Sequence, residues 1–123
     1  MPLNFPTTVD VQAKFREAYE LIDVVGDEVL LMLRNAAGTF DDVGPLKAKV
    51  SELRMQDIAA GSTARVGDLR AILRASSIPA GMGRMEQKDR VLWRAREYAV
   101  VQYDDATASI GAEVLAVTII MRG

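Results

Sequence analysis

The stretch Lys88-Asp-Arg-Val-Leu-Trp-Arg-Ala-Arg-Glu-Tyr-Ala-Val-Val-Gln-Tyr103 decides the fold. Residues 90–93 and 97–103 are rich in β-branched and aromatic side chains, and the link Arg94-Ala95-Arg96 leaves room only for a tight connection, which predicts a β-hairpin. A polar turn at 104–111 follows, and 112–122 then alternates as a long closing strand. Glu113, Leu115, Val117, Ile119 and Met121 fall on one face, and Val114, Ala116, Thr118 and Ile120 on the other. The product is a β-meander with no reactive centre in it.

Upstream of the hairpin, 76–87 is rich in Ser, Gly and Pro, so 75–88 is expected as a long loop. Residues 66–75 predict a strand, with Leu69, Ala71 and Leu73 opposite Arg70, Ile72 and Arg74, although a short helix fits the same pattern. Residues 55–61 are compatible with a helical turn or an irregular excursion. Leu46, Ala48 and Val50 alternate with Lys47, Lys49 and Ser51, a half-buried strand; 39–45, with Asp41, Asp42, Gly44 and Pro45, is expected as loop. The dense apolar run 28–34 predicts a strand buried on both faces, or one with one face against the sheet and the other under the helix. Before it, Val11, Phe15, Ala18, Tyr19, Ile22 and Val25 recur at helical spacing, so 9–26 is expected as an amphipathic helix capped by Thr8 and ended by Gly26. Pro2 and Pro6 make 1–8 an extended arm. The expected fold is mainly β with one N-terminal α-helix: a small β-barrel of about five or six antiparallel strands, closed so that few edges stay exposed. It is a single domain over the 123 residues.

Composition narrows the chemistry. The chain contains no cysteine and no histidine. It therefore lacks disulfides, thiolate nucleophiles, imidazole bases and the usual ligands of zinc, haem and iron–sulfur clusters. Asp41-Asp42 and Asp104-Asp105 have the spacing of solvated turns and lack the alternating oxygens of a calcium loop. Ser62-Thr63 and Ser76-Ser77 have no base to activate them. Gly81-Met82-Gly83 is too short for a phosphate cradle and is not followed by a strand-to-helix switch. No enzyme activity, cofactor or metal is expected. No apolar run is long enough to cross a bilayer and residues 1–8 lack a signal-peptide plan, so a soluble, unprocessed chain is expected.

Charge is unevenly spread. Residues 1–53 hold five basic against nine acidic side chains, 54–96 nine against four, and 97–123 one against four. A basic middle between acidic ends suits contacts with a neighbouring copy or with nucleic acid, but the arginines lack the interleaved aromatics of a single-strand-binding face. Trp93 and Tyr98, flanking the hairpin link, are expected in the barrel core or under a stacked arginine. The apolar side chains of Ile78, Met82 and Met85 either tuck under the barrel or meet a partner.

The run Lys88-Asp89-Arg90-Val91 through Arg94-Ala95-Arg96 to Glu97-Tyr98-Ala99-Val100, with the acidic turn Asp104-Asp105, Gly111 and a last strand reaching Arg122, resembles the C-terminal half of the head–tail joining proteins of tailed phages. These are the head closure or stopper proteins. Lys88 and Ala95 stand where that family has glycines. The order of the helix and strands upstream extends the resemblance over most of 9–123. It implies a structural virion protein at the neck, made in the bacterial host cytoplasm, whose copies form a ring. The ring would join the portal or adaptor protein to the tail terminator or tail tube protein and help retain packaged DNA, with no membrane involved. Phe5 in the arm, Ile78, Met82, Arg84 and Met85 in the long loop, and Arg94 and Arg96 at the hairpin are then the expected partner contacts. The loop would project toward the channel or the next ring, and deleting 78–85 would leave a folded subunit that joins poorly. Another neck ring, a tail terminator or an adaptor, and a small nucleic-acid-binding barrel are the alternatives.

Overall fold

The computed structural model describes residues 21–58, 61–79, 81–105, 109–110 and 113–123. The expected arm 1–8 with Phe5, and the expected helix up to residue 20, lie outside them. One helical turn, α1 (Ile22–Val25), precedes Gly26. The strands that follow are β1 (Asp27–Arg34), β2 (Phe40–Glu52), β3 (Leu69–Arg74), β4 (Arg90–Trp93), β5 (Arg96–Asp104), β6 (Ser109–Ile110), β7 (Glu113–Val114) and β8 (Ala116–Arg122).

Six of these close into a barrel in the order β1-β2-β3-β8-β5-β4, every pairing antiparallel. Closure joins Val29 of β1 to Trp93 of β4, and β8 lies between β3 and β5. β6 and β7 form a separate two-stranded ribbon.

Alternation builds the interior. Val29 and Leu31, Ala48, Ala71 and Leu73, Val91, Tyr98 and Val100, and Val117, Ile119 and Met121 all point inward and form one continuous core. Small Ala48 and Ala71 leave room for the large Leu73 and Met121, all at 0% exposure. Each fully buried Leu or Ile of this set contributes about 1.5–3 kcal/mol.

The structure corrects several boundaries. Residues 40–45, expected as loop, are the first half of β2 and pair with β1 from Arg34↔Phe40 to Leu31↔Val43. Asn35 makes this possible: its side-chain oxygen accepts from the amides of Ala37 and Thr39 and closes the turn into β2. The breakers Gly44 and Pro45 are absorbed where the register shifts, joined by a cis peptide bond and exposed to solvent. A side chain at Gly44, where φ is +127°, would bring its Cβ to 2.8 Å from the Leu46 amide nitrogen.

β1 is fully buried only on its inner face, at Val29 and Leu31, while Leu30 and Met32 on the other face are half-buried. The strand expected over 66–75 starts only at Leu69, since Asp68 and the residues before it form a hydrogen-bonded turn. The expected closing strand 112–122 is interrupted at Leu115, whose carbonyl accepts from Ala75; the polar turn before it contributes β6. Residues 55–57 form a single 3-10 turn.

Antiparallel neighbours give the barrel two unlike ends. One end, the mouth, carries the start of β1, the loop 53–68, the Arg94-Ala95 turn and the end of β8. The other, the base, carries the turn 35–39, the long loop 75–89 and the ribbon β6–β7. Among the described residues no helix is long and apolar enough to cross a membrane.

Candidate functional site

The base is shut. Met85, 4% exposed, belongs to the core, and half-buried Ile78 and Met82 pack against it, so the loop folds its apolar side chains inward. Of the two readings open to these residues, the structure shows the tucked one, and Met85 is withdrawn as a partner contact. Asp89 fastens the loop. It is 3% exposed and its carboxylate accepts from the amides of Arg34 at 2.9 Å and Glu86 at 2.7 Å, pinning the loop end to the end of β1. Arg84 stays on the surface, donating to the Tyr103 carbonyl at 2.8 Å, pairing with Asp105 at 3.6 Å and lying over the Tyr103 ring. Burial, with Asp105 adding to it, pushes the Tyr103 hydroxyl above its ordinary pKa against the opposing effect of Arg84.

The mouth is open. A cup of about 620 Å³ is lined there by Glu52, Arg65 to Leu69, Trp93, Arg96, Tyr98, Arg122 and Gly123. Its foundation is Asp68, 4% exposed, whose two carboxylate oxygens take Arg122 Nε at 2.8 Å and Nη2 at 2.9 Å, with the Arg65 amide at 2.8 Å on the second oxygen. This fork-to-carboxylate geometry ties the end of β8 to the start of β3. The hydrogen bond from Arg122 holds the Asp68 carboxyl below its usual range, outweighing the opposite effect of burial, and Arg122 is raised in return.

Above this foundation lie the aromatics. Trp93 and Tyr98 face each other across the hairpin with ring centroids 6.0 Å apart. Arg94 lies over Trp93 at 4.5 Å and Arg96 over Tyr98 at 5.3 Å, while Tyr98 also belongs to the core and Trp93 packs against it, so both placements left open by the sequence are met. Asp27 receives both Trp93 Nε1, at 3.1 Å, and Arg94 Nη2, at 3.3 Å. Arg94 and Ala95 form the turn with φ of +50° and +62°, a primed two-residue turn that normally carries Asn or Gly.

The expected contact residues therefore do not form one site. Arg94 and Arg96 are at the mouth, whereas Ile78, Met82, Arg84 and Met85 are at the base. Glu52, Arg65, Asp68 and Arg122, which the sequence did not single out as a site, complete the mouth. A signal for Asp68 exists: like Asp89 it stands one residue before a strand and accepts from the amide three residues back. Arg65 and Arg96 form no ion pair with a described carboxylate. Among the described residues no group of three acidic side chains is placed to hold a metal ion. Compared with protein-family models, curated proteins and solved structures, the chain has no match.

Proposed function

We propose that this protein is a structural subunit of a tailed-phage neck, assembling as a ring that closes the head, joins the portal or adaptor to the tail and helps retain packaged DNA. The observation that carries the proposal is the filled, closed barrel placed behind the hairpin whose sequence resembles that family. Asp89 and Val91, then Tyr98 and Val100, the residues of the resemblance, are the loop fastener and inward-facing core of β4 and β5. Residues that serve strand starts and packing suit a rigid building block, with association left to loops and termini. In this proposal the segment 1–8, with Phe5, contacts neighbouring copies.

A mainly β subunit fits a closure ring better than an adaptor. The nucleic-acid alternative loses support at Trp93 and Tyr98, since an arginine of the chain itself lies over each ring where a base would have to stack. The test is disruption of the gene in the genome that encodes it, together with light scattering and electron microscopy of the purified protein. Rings of the isolated protein, with heads that package DNA but gain no tails when it is missing, are the expected result. A protein that stays monomeric and is dispensable for infectious particles would sink the proposal.

A further inference from the structure

We infer that residues 61–67 form a latched strap over the outer face of β8, able to lift while the barrel stays closed. The starting observation is Ile120. It points away from the interior, between the inward-facing Ile119 and Met121, yet it is only 8% exposed, whereas the outward Leu30, Ile72 and Leu92 of other strands are half-buried. The hydrogen bonds identify what covers it. Gln102, its cross-strand neighbour on β5, donates from Nε2 to Ser62 Oγ at 2.8 Å and to Thr63 Oγ1 at 3.3 Å. Arg122, next along β8 on the same face, donates from Nη2 to the Thr63 carbonyl at 3.2 Å. The segment is thus tied down on two sides of Ile120.

Foot and tip of the strap are held differently. The foot is fixed by backbone, with the Leu53 amide donating to the Asp68 carbonyl at 2.8 Å and the Gly67 amide to the Leu53 carbonyl at 3.3 Å. Among the described residues the tip is held by the side chains of Gln102 and Arg122 alone, and it lies between Gly61 and Gly67, both at positive φ. The closed arrangement also leaves a polar group unsatisfied. Arg70, opposite Ile120 on β3 and on the same face, keeps its Nε buried with no hydrogen-bond partner among the described residues. A buried donor without an acceptor favours any state that admits water to it. Lifting the tip breaks three hydrogen bonds that water replaces, uncovers one isoleucine and leaves the barrel pairings intact, which is the profile of a local opening. It would join the Ile120 face to the groove of about 360 Å³ that Thr63, Ala99 and Val101 line along β5.

The chain has no cysteine, so a single introduced thiol measures the opening. Ile120→Cys reports the strap, and Ala71→Cys, fully buried on the inner face, reports the barrel. Each variant is reacted with dithiobis(nitrobenzoate) across a urea series below the unfolding transition. The Ile120→Cys thiol should react more slowly than in the unfolded chain and almost independently of urea, whereas the Ala71→Cys rate should rise steeply with it, because only global unfolding exposes much surface. Adding Ser62→Ala/Thr63→Val, which removes both acceptors of Gln102 and leaves β5 and β8 unaltered, should speed Ile120→Cys labelling about fivefold or more. If Ala71→Cys does not fold, the urea unfolding curve of the Ile120→Cys chain, followed by circular dichroism, supplies the global comparison. Labelling of Ile120→Cys with the urea dependence of global unfolding, labelling at once at the rate of the unfolded chain, or indifference to Ser62→Ala/Thr63→Val would each overturn the inference. Labelling that slows as protein concentration rises would put the cover in a neighbouring copy and overturn it as well.

Discussion

Asp68 and Ala95 show how much a single position can decide. The Asp68 carboxyl titrates below its ordinary value of 3.8 in the folded chain. Its stabilising effect is therefore present above that value and is lost as pH falls through the lower, folded one. Asp68→Asn should lower the melting temperature at neutral pH by roughly 5 °C and flatten the acid limb of the stability profile, measured by circular dichroism between neutral and acid pH. An unchanged acid limb would place the acid sensitivity elsewhere. Ala95 presents the opposite case, a residue whose backbone is ill suited to its side chain at φ +62°. Ala95→Gly should raise stability by about 1 kcal/mol in denaturant titration, since only the β-carbon opposes this turn. The link was legible as tight in the sequence, but its left-handed backbone was not, because neither Arg94 nor Ala95 advertises a positive φ.

At the level of elements, alternation made the strands readable wherever one face is packed and the other wetter, as in β3 and β5. It misled where a tertiary partner overrides local breakers. Gly44 and Pro45 look like loop until β1 supplies a ladder for both sides of the bulge, and no local pattern reveals that. The long loop 75–89 taught a similar lesson, since a Gly-rich segment with scattered methionines has no period to show which way its side chains face. Its inward packing reverses the expectation for deleting 78–85. That deletion removes Met85 from the core and should abolish cooperative unfolding, and Met85→Ala alone should cost about 2–4 kcal/mol in urea titration. Where α1 meets β1, a side chain at Gly26 would collide with the Ile22 carbonyl and approach the Ala48 carbonyl oxygen to 2.9 Å. Gly26→Ala should destabilise by about 1–3 kcal/mol, the sign coming from backbone atoms that cannot swing aside.

For the whole molecule, the mouth escaped the sequence because its members come from four distant places: Glu52, Arg65 with Asp68, Trp93 to Tyr98, and Arg122. Only barrel closure assembles them, whereas the hairpin carrying Trp93 and Arg96 was local and therefore readable. The position of β8 between β3 and β5 also has a consequence in time. A chain emerging from the ribosome holds β1 to β5 well before β8, yet β3 and β5 have no barrel neighbour on one side until 116–122 arrive. The interior is thus sealed by the strand 116–122, through contacts such as Leu69↔Met121 that span more than half the barrel sequence. Such distant pairings fold on the order of milliseconds to seconds, so the nascent chain keeps two unsatisfied strand edges until synthesis has passed Arg122.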